Sequence, residues 1–218
     1  LDRIVPGDLL LIQFGHNDQK HPHLQAYNGY PENLRRFIAE IRAKKALPIL
    51  ATPIARNVWT EQNGKLTYND LLHDHAQACI ALGKELNVPV LDLHQAAMDE
   101  IIRLGRDASK IYYHQGDWTH TNDYGAVRAA GYAADELRSL GEAFPDYLPL
   151  IQTVSASSEP WKPEAALLLE KPARLAGVKD PNGTEEGTAA QDHQAEKDGG
   201  DALARLLAAV QSACGQSV

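Results

Sequence analysis

Two short segments of the sequence contain polar residues of the types that acyl-transfer chemistry requires. Asp117 and His120 lie three residues apart in the segment Asp-Trp-Thr-His. On a turn, residues at this spacing can touch, so that the carboxylate holds the imidazole while the other ring nitrogen accepts a proton from a nucleophile. We therefore predict Asp117 as the orienting residue and His120 as the general base. The alternative is plain helix capping by Thr121 or Asp123, because the segment precedes a predicted helix.

The other segment is Gly15-His-Asn-Asp18, which directly follows an apolar run. An asparagine amide at this place can donate a hydrogen bond to an oxygen that becomes negative during acyl transfer, a contribution of about 2.7–4 kcal/mol per donor. Asn17 is therefore a candidate oxyanion donor, and Gly15 belongs to the same candidate binding loop. The alternative is that Asn17 and Asp18 only satisfy backbone groups of a turn, as Asx residues often do.

The elements that must position these residues alternate between strand and helix. Short apolar runs bounded by Gly or Pro predict buried strands, and apolar residues at helical spacing predict amphipathic helices. The strands are predicted at residues 8–14, 48–53 and 88–93, and the helices at 31–45, 72–86, 95–104 and 123–140. Alternation with short connections implies parallel strands with helices on both faces. Ligands bind outside the carboxyl ends of such strands, where the loop of Gly15 begins.

Composition limits the function classes. A chain of 218 residues with 44% hydrophobic content can form one enzyme-sized domain, and its net charge of −8 argues against a sequence-independent nucleic-acid binder. No apolar run approaches the roughly 20 residues that a membrane span needs, so a soluble protein is expected. Two cysteines without CxxC spacing indicate neither a zinc site nor a disulfide framework. We expect a domain over residues 1–148, a linker with a short helix over 149–200, and an amphipathic helix over 201–218.

Four segments together resemble the later sequence blocks of the SGNH (GDSL-type) hydrolases, most closely the rhamnogalacturonan acetylesterase branch. They are Phe14-Gly-His-Asn-Asp18, Thr52-Pro-Ile-Ala-Arg56, Leu91-Asp-Leu93 and Asp117-Trp-Thr-His-Thr-Asn-Asp-Tyr-Gly-Ala126, and the likeness spans residues 9–137. The resemblance implies a flavodoxin-like, three-layer α/β/α fold and a Ser-His-Asp triad that includes Asp117 and His120, with Asn17 as an oxyanion donor. It also implies that acetyl groups are removed from a pectic polysaccharide without a cofactor.

The chain departs from the family at its start. Those enzymes open with a strand that ends in Gly-Asp-Ser, whose serine is the nucleophile, and a second block supplies a glycine amide; neither block is found. No serine of this chain follows a buried strand: Ser109, Ser139, Ser155, Ser157, Ser158, Ser212 and Ser217. We therefore expect an N-terminally truncated domain that lacks two strand-helix units of roughly 30 residues each, with an exposed apolar edge and negligible esterase activity alone. The compartment of the protein is left open.

Other polar and aromatic residues near the candidate site have weaker assignments. Arg56 follows the second strand and could pair with a galacturonate carboxylate, although a solvated loop arginine is the simpler explanation. A cationic cluster and two aromatic residues could contact a sugar chain: Lys20, His21 and His23, and Trp59 and Trp118. The competing function is a non-catalytic sugar-binding or interaction module. A metal hydrolase is disfavoured, because His73 and His75 lie two apart on a predicted helix and face different directions.

Overall fold

The computed structural model of the protein describes residues 2–156. Its strands are β1 (Leu9–Gln13), β2 (Leu47–Ala51), β3 (Trp59–Gln62), β4 (Lys65–Tyr68) and β5 (Val90–Leu91), and its α-helices are α1 (Gly29–Ala43), α2 (His73–Leu86), α3 (Leu93–Leu104), α4 (Arg106–Ser109), α5 (Asp123–Ser139) and α6 (Leu148–Ala156). The short helix predicted within the 149–200 linker, at residues 164–170, and the amphipathic helix predicted over 201–218 lie outside the described residues, and so does Cys214. The division of residues 149–218 stays a prediction.

The main sheet is parallel, with strand order β1-β2-β5. Leu9 is aligned with Leu47 and Gln13 with Ala51, while Leu50 and Ala51 of β2 align with β5. Because side chains alternate along a strand, β2 serves two cores. Leu50 packs with α1 and α2, whereas Ile49 and Ala51 pack with α3, α5 and α6. The predicted three-layer α/β/α architecture is therefore confirmed.

The third strand is shorter than predicted. The sequence pattern extended it over residues 88–93, but the strand itself is only Val90–Leu91. Pro89 has no N–H to donate to a ladder, and Asp92 is the N-cap of α3, where its side chain accepts a hydrogen bond from Gln95 N. Helix α3 consequently begins at Leu93, two residues earlier than expected.

A hairpin formed by β3 and β4 was not predicted. The two strands pair antiparallel around Asn63 and Gly64, whose φ angles are +52° and +74°. These are the positive angles of a type I′ turn, and Asn-Gly is its preferred sequence. Across the base of the hairpin, Trp59 packs edge-on against Tyr68 at a ring distance of 5.5 Å. The hairpin extends from the end of the sheet that holds the candidate site.

Strand β1 has one exposed edge within the described residues, since its only partner there is β2. Leu9 and Leu11 are 42% and 36% exposed, as the sequence led us to expect. Helix α6 was not predicted; its Ile151 is buried, and the hydroxyl of nearby Tyr147 donates to Pro48 O at 2.7 Å. Within residues 2–156, no helix combines the length and apolar character that crossing a bilayer requires.

A buried carboxylate joins α3 to α5. Glu100 is 6% exposed and accepts hydrogen bonds from Tyr112 OH at 2.6 Å, Arg128 Nε at 2.6 Å and Tyr132 OH at 2.5 Å. Burial alone would raise the pKa of Glu100, but these hydrogen bonds and the charge of Arg128 outweigh it and lower the pKa. The network fixes α5, whose first turn follows the segment of Asp117 and His120.

Candidate active site

Five consecutive main-chain carbonyls after β2 each accept a hydrogen bond from a side chain of another segment. We call residues 52–56 the 52–56 segment. Burial of such a loop is possible because its backbone acceptors are satisfied. The donors are Gln13 Nε2 to Thr52 O (3.1 Å), His94 Nδ1 to Pro53 O (3.1 Å), His16 Nε2 to Ile54 O (2.9 Å), Tyr113 OH to Ala55 O (2.9 Å) and Tyr68 OH to Arg56 O (3.0 Å).

The loop after β1 packs tightly against the 52–56 segment. Gly15 has a φ of +134°, and a Cβ atom added there would lie 2.9 Å from Pro53 Cγ, so only glycine fits without a shift. Its N–H donates to Asp18 Oδ2 at 3.0 Å and is thus used within the loop. Asn17 begins the 3-10 turn Asp18–Lys20, and its half-buried side chain makes no capping hydrogen bond there.

His16 and Arg56 connect the two loops in both directions. Arg56 Nη2 donates to His16 O at 3.0 Å, while His16 Nε2 donates to Ile54 O. Burial and the nearby Arg56 charge lower the pKa of His16 to about 4, with smaller contributions in the same direction from His120 and His94. His16 is therefore neutral near pH 7.

Asp117 and His120 form the contact that their spacing predicts. His120 Nδ1 lies 2.5 Å from Asp117 Oδ2, and Asp117 Oδ1 accepts the backbone N–H groups of Thr119 at 2.6 Å and His120 at 3.0 Å. Burial would raise the pKa of Asp117, but the hydrogen bonds from His120 and Thr119 lower it to about 2. The carboxylate is ionised at neutral pH. The side chain of His120 is 42% exposed, so a substrate can reach the ring.

The segment that holds this pair is anchored at both ends. Asn57 N donates to Trp118 O at 2.8 Å, and His114 N donates to His120 O at 3.2 Å. Asn122 is the N-cap of α5, because its side chain accepts a hydrogen bond from Gly125 N at 2.9 Å. The cap of the helix is therefore Asn122, not Thr121 or Asp123 as the sequence suggested, while Asp117 contacts His120.

A second Asp-His pair lies beneath the 52–56 segment, and sequence spacing could not have revealed it. His94 Nε2 is 3.0 Å from Asp70 Oδ2, although the two residues are 24 positions apart. His94 is 3% exposed, and its Nδ1 donates to Pro53 O. Both ring nitrogens thus face oxygen acceptors, which leaves neither nitrogen to accept a proton from a substrate. Asp70 also accepts the N–H of Leu72, just before α2.

The two serines whose side chains the structure describes are engaged within their own helical segments. Ser109 is fully buried, and its hydroxyl donates to Gly105 O at 2.8 Å. Ser139 Oγ donates to Glu136 O at 2.7 Å. Neither hydroxyl is hydrogen-bonded to His120.

Comparison with known proteins assigns the chain to a family. The model of the GDSL-like lipase/acylhydrolase family matches residues 1–128. The chain belongs to this family. The GDSL-like chain is 34% identical over 160 residues to rhamnogalacturonan acetylesterase RhgT of Bacillus subtilis, covering 67% of this chain and 68% of that relative. It is 32% identical over 165 residues to the probable rhamnogalacturonan acetylesterase YesY of the same organism, with coverage of 71% and 70%.

A solved structure agrees with this assignment. The crystal structure of protein YxiM from Bacillus subtilis matches with a TM-score of 0.54 at 29% identity, and the match covers 64% of this chain and 39% of that one. YxiM is described as an uncharacterised esterase. The SGNH resemblance inferred from four sequence segments is thus confirmed at the level of family and fold.

The remaining histidines noted in the sequence of this GDSL-like chain are spread over several places. His21 and His23 are exposed, with ring centroids 5.6 Å apart. His75 is buried and packs edge-on against Tyr30 at 4.9 Å, whereas the side chain of His73 is 59% exposed near Asp70. His73 and His75 therefore face different directions, as predicted. Within the described part of the chain, no cluster of three His, Cys, Asp or Glu residues could hold a metal ion.

Proposed function

We propose that this chain belongs to a carbohydrate O-acetylesterase in which Asp117 and His120 form the acid-base part of a serine triad. The observation that carries the proposal is the 2.5 Å contact between Asp117 Oδ2 and His120 Nδ1, next to a half-exposed imidazole. Two relatives that exceed 30% identity bear the name rhamnogalacturonan acetylesterase, one of them as probable. The proposed substrate is therefore an acetylated pectic oligo- or polysaccharide.

The proposed reaction uses both nitrogens of His120. Nδ1 is held by Asp117, and Nε2 accepts the proton of a serine hydroxyl as the serine oxygen attacks the acetyl carbonyl carbon. The carbonyl oxygen becomes negative, and the amide of Asn17 donates to it. His120 then returns the proton to the departing sugar oxygen. Water, deprotonated by His120, cleaves the acetyl-serine, so that acetate is released and the serine regains its proton.

Gly15 and Arg56 have positioning roles in this proposal. The Gly15 N–H is bound to Asp18, and the absence of a side chain at Gly15 lets the loop approach Pro53. That leaves the oxyanion role to Asn17 in this loop. Arg56 donates to His16 O, and its guanidinium is also the cation of this region that could pair with a galacturonate carboxylate.

The proposed nucleophile is neither Ser109 nor Ser139. This follows from the hydrogen bonds that Ser109 and Ser139 make to carbonyls of their own helical segments. For this chain by itself, we propose negligible turnover, because none of its seven serines follows a strand that ends in Gly-Asp, and removing a triad nucleophile costs several orders of magnitude in rate. Acetate release by this chain above the level of an Asp117→Ala/His120→Ala double variant would contradict this part of the proposal.

The test of the function uses the native gene product and acetylated rhamnogalacturonan. We expect His120→Ala to lower the rate of acetate release by at least about a thousandfold. The matched control is His114→Ala, because His114 is an exposed histidine in the same segment and is expected to leave the rate within a factor of two. Labelling by a phosphonate that reacts with activated serines, followed by peptide mass analysis, would locate the nucleophile. Equal rates for His120→Ala and the wild type would refute the proposal.

The second candidate function is sugar binding without turnover. It is favoured by the same observation on Ser109 and Ser139, since neither hydroxyl is available to work with Asp117 and His120. A native gene product that binds acetylated oligosaccharide but releases no acetate and takes up no phosphonate would support this candidate. A labelled product that releases acetate would exclude it.

A further inference from the structure

The two tryptophans of the described residues have different surroundings. Trp59 donates its Nε1–H to Asn57 Oδ1 at 2.6 Å and packs edge-on against Tyr68. Trp118 lies between Asp117 and His120 in sequence and is 45% exposed. Within residues 2–156, the indole N–H of Trp118 donates no hydrogen bond, and its ring stacks on no other aromatic ring. Trp59 is thus part of the hairpin base, whereas Trp118 makes no such internal contact.

The exposure of Trp118 does not result from a loosely held backbone. Its carbonyl accepts the N–H of Asn57 at 2.8 Å, and Asn57 is 5% exposed. On the other side, the N–H of Thr119 is bound to Asp117 Oδ1. The indole is therefore presented to solvent from a fixed main chain. A ligand that binds a side chain on a fixed backbone has less conformational entropy to overcome.

The indole has the size and chemistry to contact a sugar ring at the reacting centre. Only Thr119 separates Trp118 from His120, so their Cα atoms are at most about 7.6 Å apart. That distance is comparable to the width of one pyranose ring. The face of an indole carries partial negative charge, and the C–H groups of a pyranose face carry partial positive charge. A sugar whose ester oxygen reaches His120 can therefore place a ring face over Trp118.

We propose that Trp118 is a sugar-stacking platform, which binds a pyranose ring of the acetylated chain beside the ester that is cleaved. The proposal rests on the proposed carbohydrate esterase function and adds a specificity determinant to it. Asp117 and His120 can act on any ester that reaches them, whereas a flat apolar surface beside them selects an ester carried by a sugar ring. Trp118 would contact substrate, while Asn57 holds the platform in place.

The test measures binding rather than turnover. The probe is a de-O-acetylated rhamnogalacturonan oligosaccharide, titrated by calorimetry into the full chain, Trp118→Ala, Trp118→Phe and Tyr27→Ala. We expect Trp118→Ala to raise the Kd about tenfold or more, and Trp118→Phe to raise it less than about threefold, because a smaller aromatic face remains. Tyr27 is an exposed aromatic residue that packs beside α2, and Tyr27→Ala should bind as the wild type does.

A spectroscopic measurement separates stacking from a structural effect. Addition of the oligosaccharide should change the tryptophan emission of the wild type and leave the emission of Trp118→Phe unchanged. Equal Kd values for the wild type and Trp118→Ala, or no binding by the wild type, would overturn the platform. The function is judged separately by the dependence of acetate release on His120. Loss of binding in Trp118→Ala without a His120 dependence would uphold the platform and refute the esterase mechanism.

Discussion

Two hydrogen-bonded Asp-His pairs within residues 2–156 differ in almost every property except their chemistry. Asp117 and His120 are three residues apart on an exposed segment, with a contact of 2.5 Å and a His side chain that is 42% exposed. Asp70 and His94 are 24 residues apart, with a contact of 3.0 Å and a His side chain that is 3% exposed. Asp117 engages one nitrogen of its histidine, whereas Asp70 and Pro53 O engage both nitrogens of His94.

This difference distinguishes a pair suited to proton transfer from a pair suited to support. A general base must present a ring nitrogen to its reactant, which a buried imidazole held by two acceptors cannot do. His94 instead donates a hydrogen bond to Pro53 O, and the neighbouring carbonyl, Ile54 O, accepts the hydrogen bond of His16. Loss of the exposed pair should therefore affect rate, and loss of the buried pair should affect stability.

The largest expected effect comes from Asp117→Asn in the native gene product. An amide in place of the carboxylate allows the wrong tautomer of His120, so we expect kcat for acetate release to fall by about 10⁴-fold while the melting temperature changes little. Asp123→Asn is the matched control, because Asp123 is an exposed carboxylate six residues further along. A decrease of less than tenfold in Asp117→Asn would mean that the two pairs do not differ in the way proposed.

The buried pair should show the reverse pattern. His94→Ala leaves Asp70 without its buried partner and Pro53 O without a donor, and we expect a loss of about 3 kcal/mol in the free energy of unfolding, measured in urea. His73→Ala removes an exposed ring 3.4 Å from the same carboxylate and should cost less than about 1 kcal/mol. If both variants lost the same free energy, burial would not explain the contrast between the pairs.

The pH dependence of stability tests His16, whose ring is hydrogen-bonded to the 52–56 segment. The pKa of His16 is lowered to about 4, so between pH 6.5 and pH 4 the unfolded chain binds a proton that the folded chain does not. The free energy of unfolding should therefore fall by up to about 3 kcal/mol across this window, and His16→Gln should remove that slope. The control variant His21→Gln changes an exposed histidine and should keep the slope of the free energy of unfolding with pH. Any loss that arises from Asp117, whose lowered pKa is about 2, occurs below pH 4.

The smallest effect is expected from Tyr113, whose hydroxyl joins the 52–56 segment to the segment that leads to Asp117 and His120. Tyr113→Phe removes the hydroxyl that donates to Ala55 O at 2.9 Å and leaves a buried carbonyl unpaired. We expect a loss of about 1–2 kcal/mol in thermal unfolding. Tyr27→Phe, which removes an exposed hydroxyl, should lose less than about 0.5 kcal/mol. Comparable losses in both variants would show that this contact does not support the site.

Much of the fold was predictable because apolar residues recur at helical or strand spacing. Leu34, Ile38 and Ile41 mark the buried face of α1, and Asn87, with a φ of +50°, ends α2 as expected. The hairpin of β3 and β4 was missed although Asn63-Gly64 is a strong turn signal, because its strands carry few apolar residues. The sequence predicted β5 to be longer than it is, because Pro89 and Asp92, which lie on either side of the strand, fall within an apolar run.

Contacts in the candidate site were predictable only where the partners are close in sequence. Asp117 and His120 could be paired from their spacing, whereas the oxyanion role of Asn17 stays a prediction. The contact of Asp70 with His94, and that of His16 with Ile54, depend on how distant segments pack. A capping role for the segment of Asp117 could not be set aside from the sequence, since only the structure shows that the side chain of Asn122 caps α5.

The 52–56 segment is held through its main-chain oxygens, so its own side chains are freer to change in evolution. Every residue type carries a carbonyl, so substitutions at Ile54 or Ala55 leave the accepting atoms in place. The residues that donate to these carbonyls are less free to change. Few other side chains are both long enough and able to donate a hydrogen bond in place of His16, Tyr68 or Tyr113. Related proteins can therefore exchange residues within this segment, and with them its side-chain surface, while the backbone of the segment keeps its place.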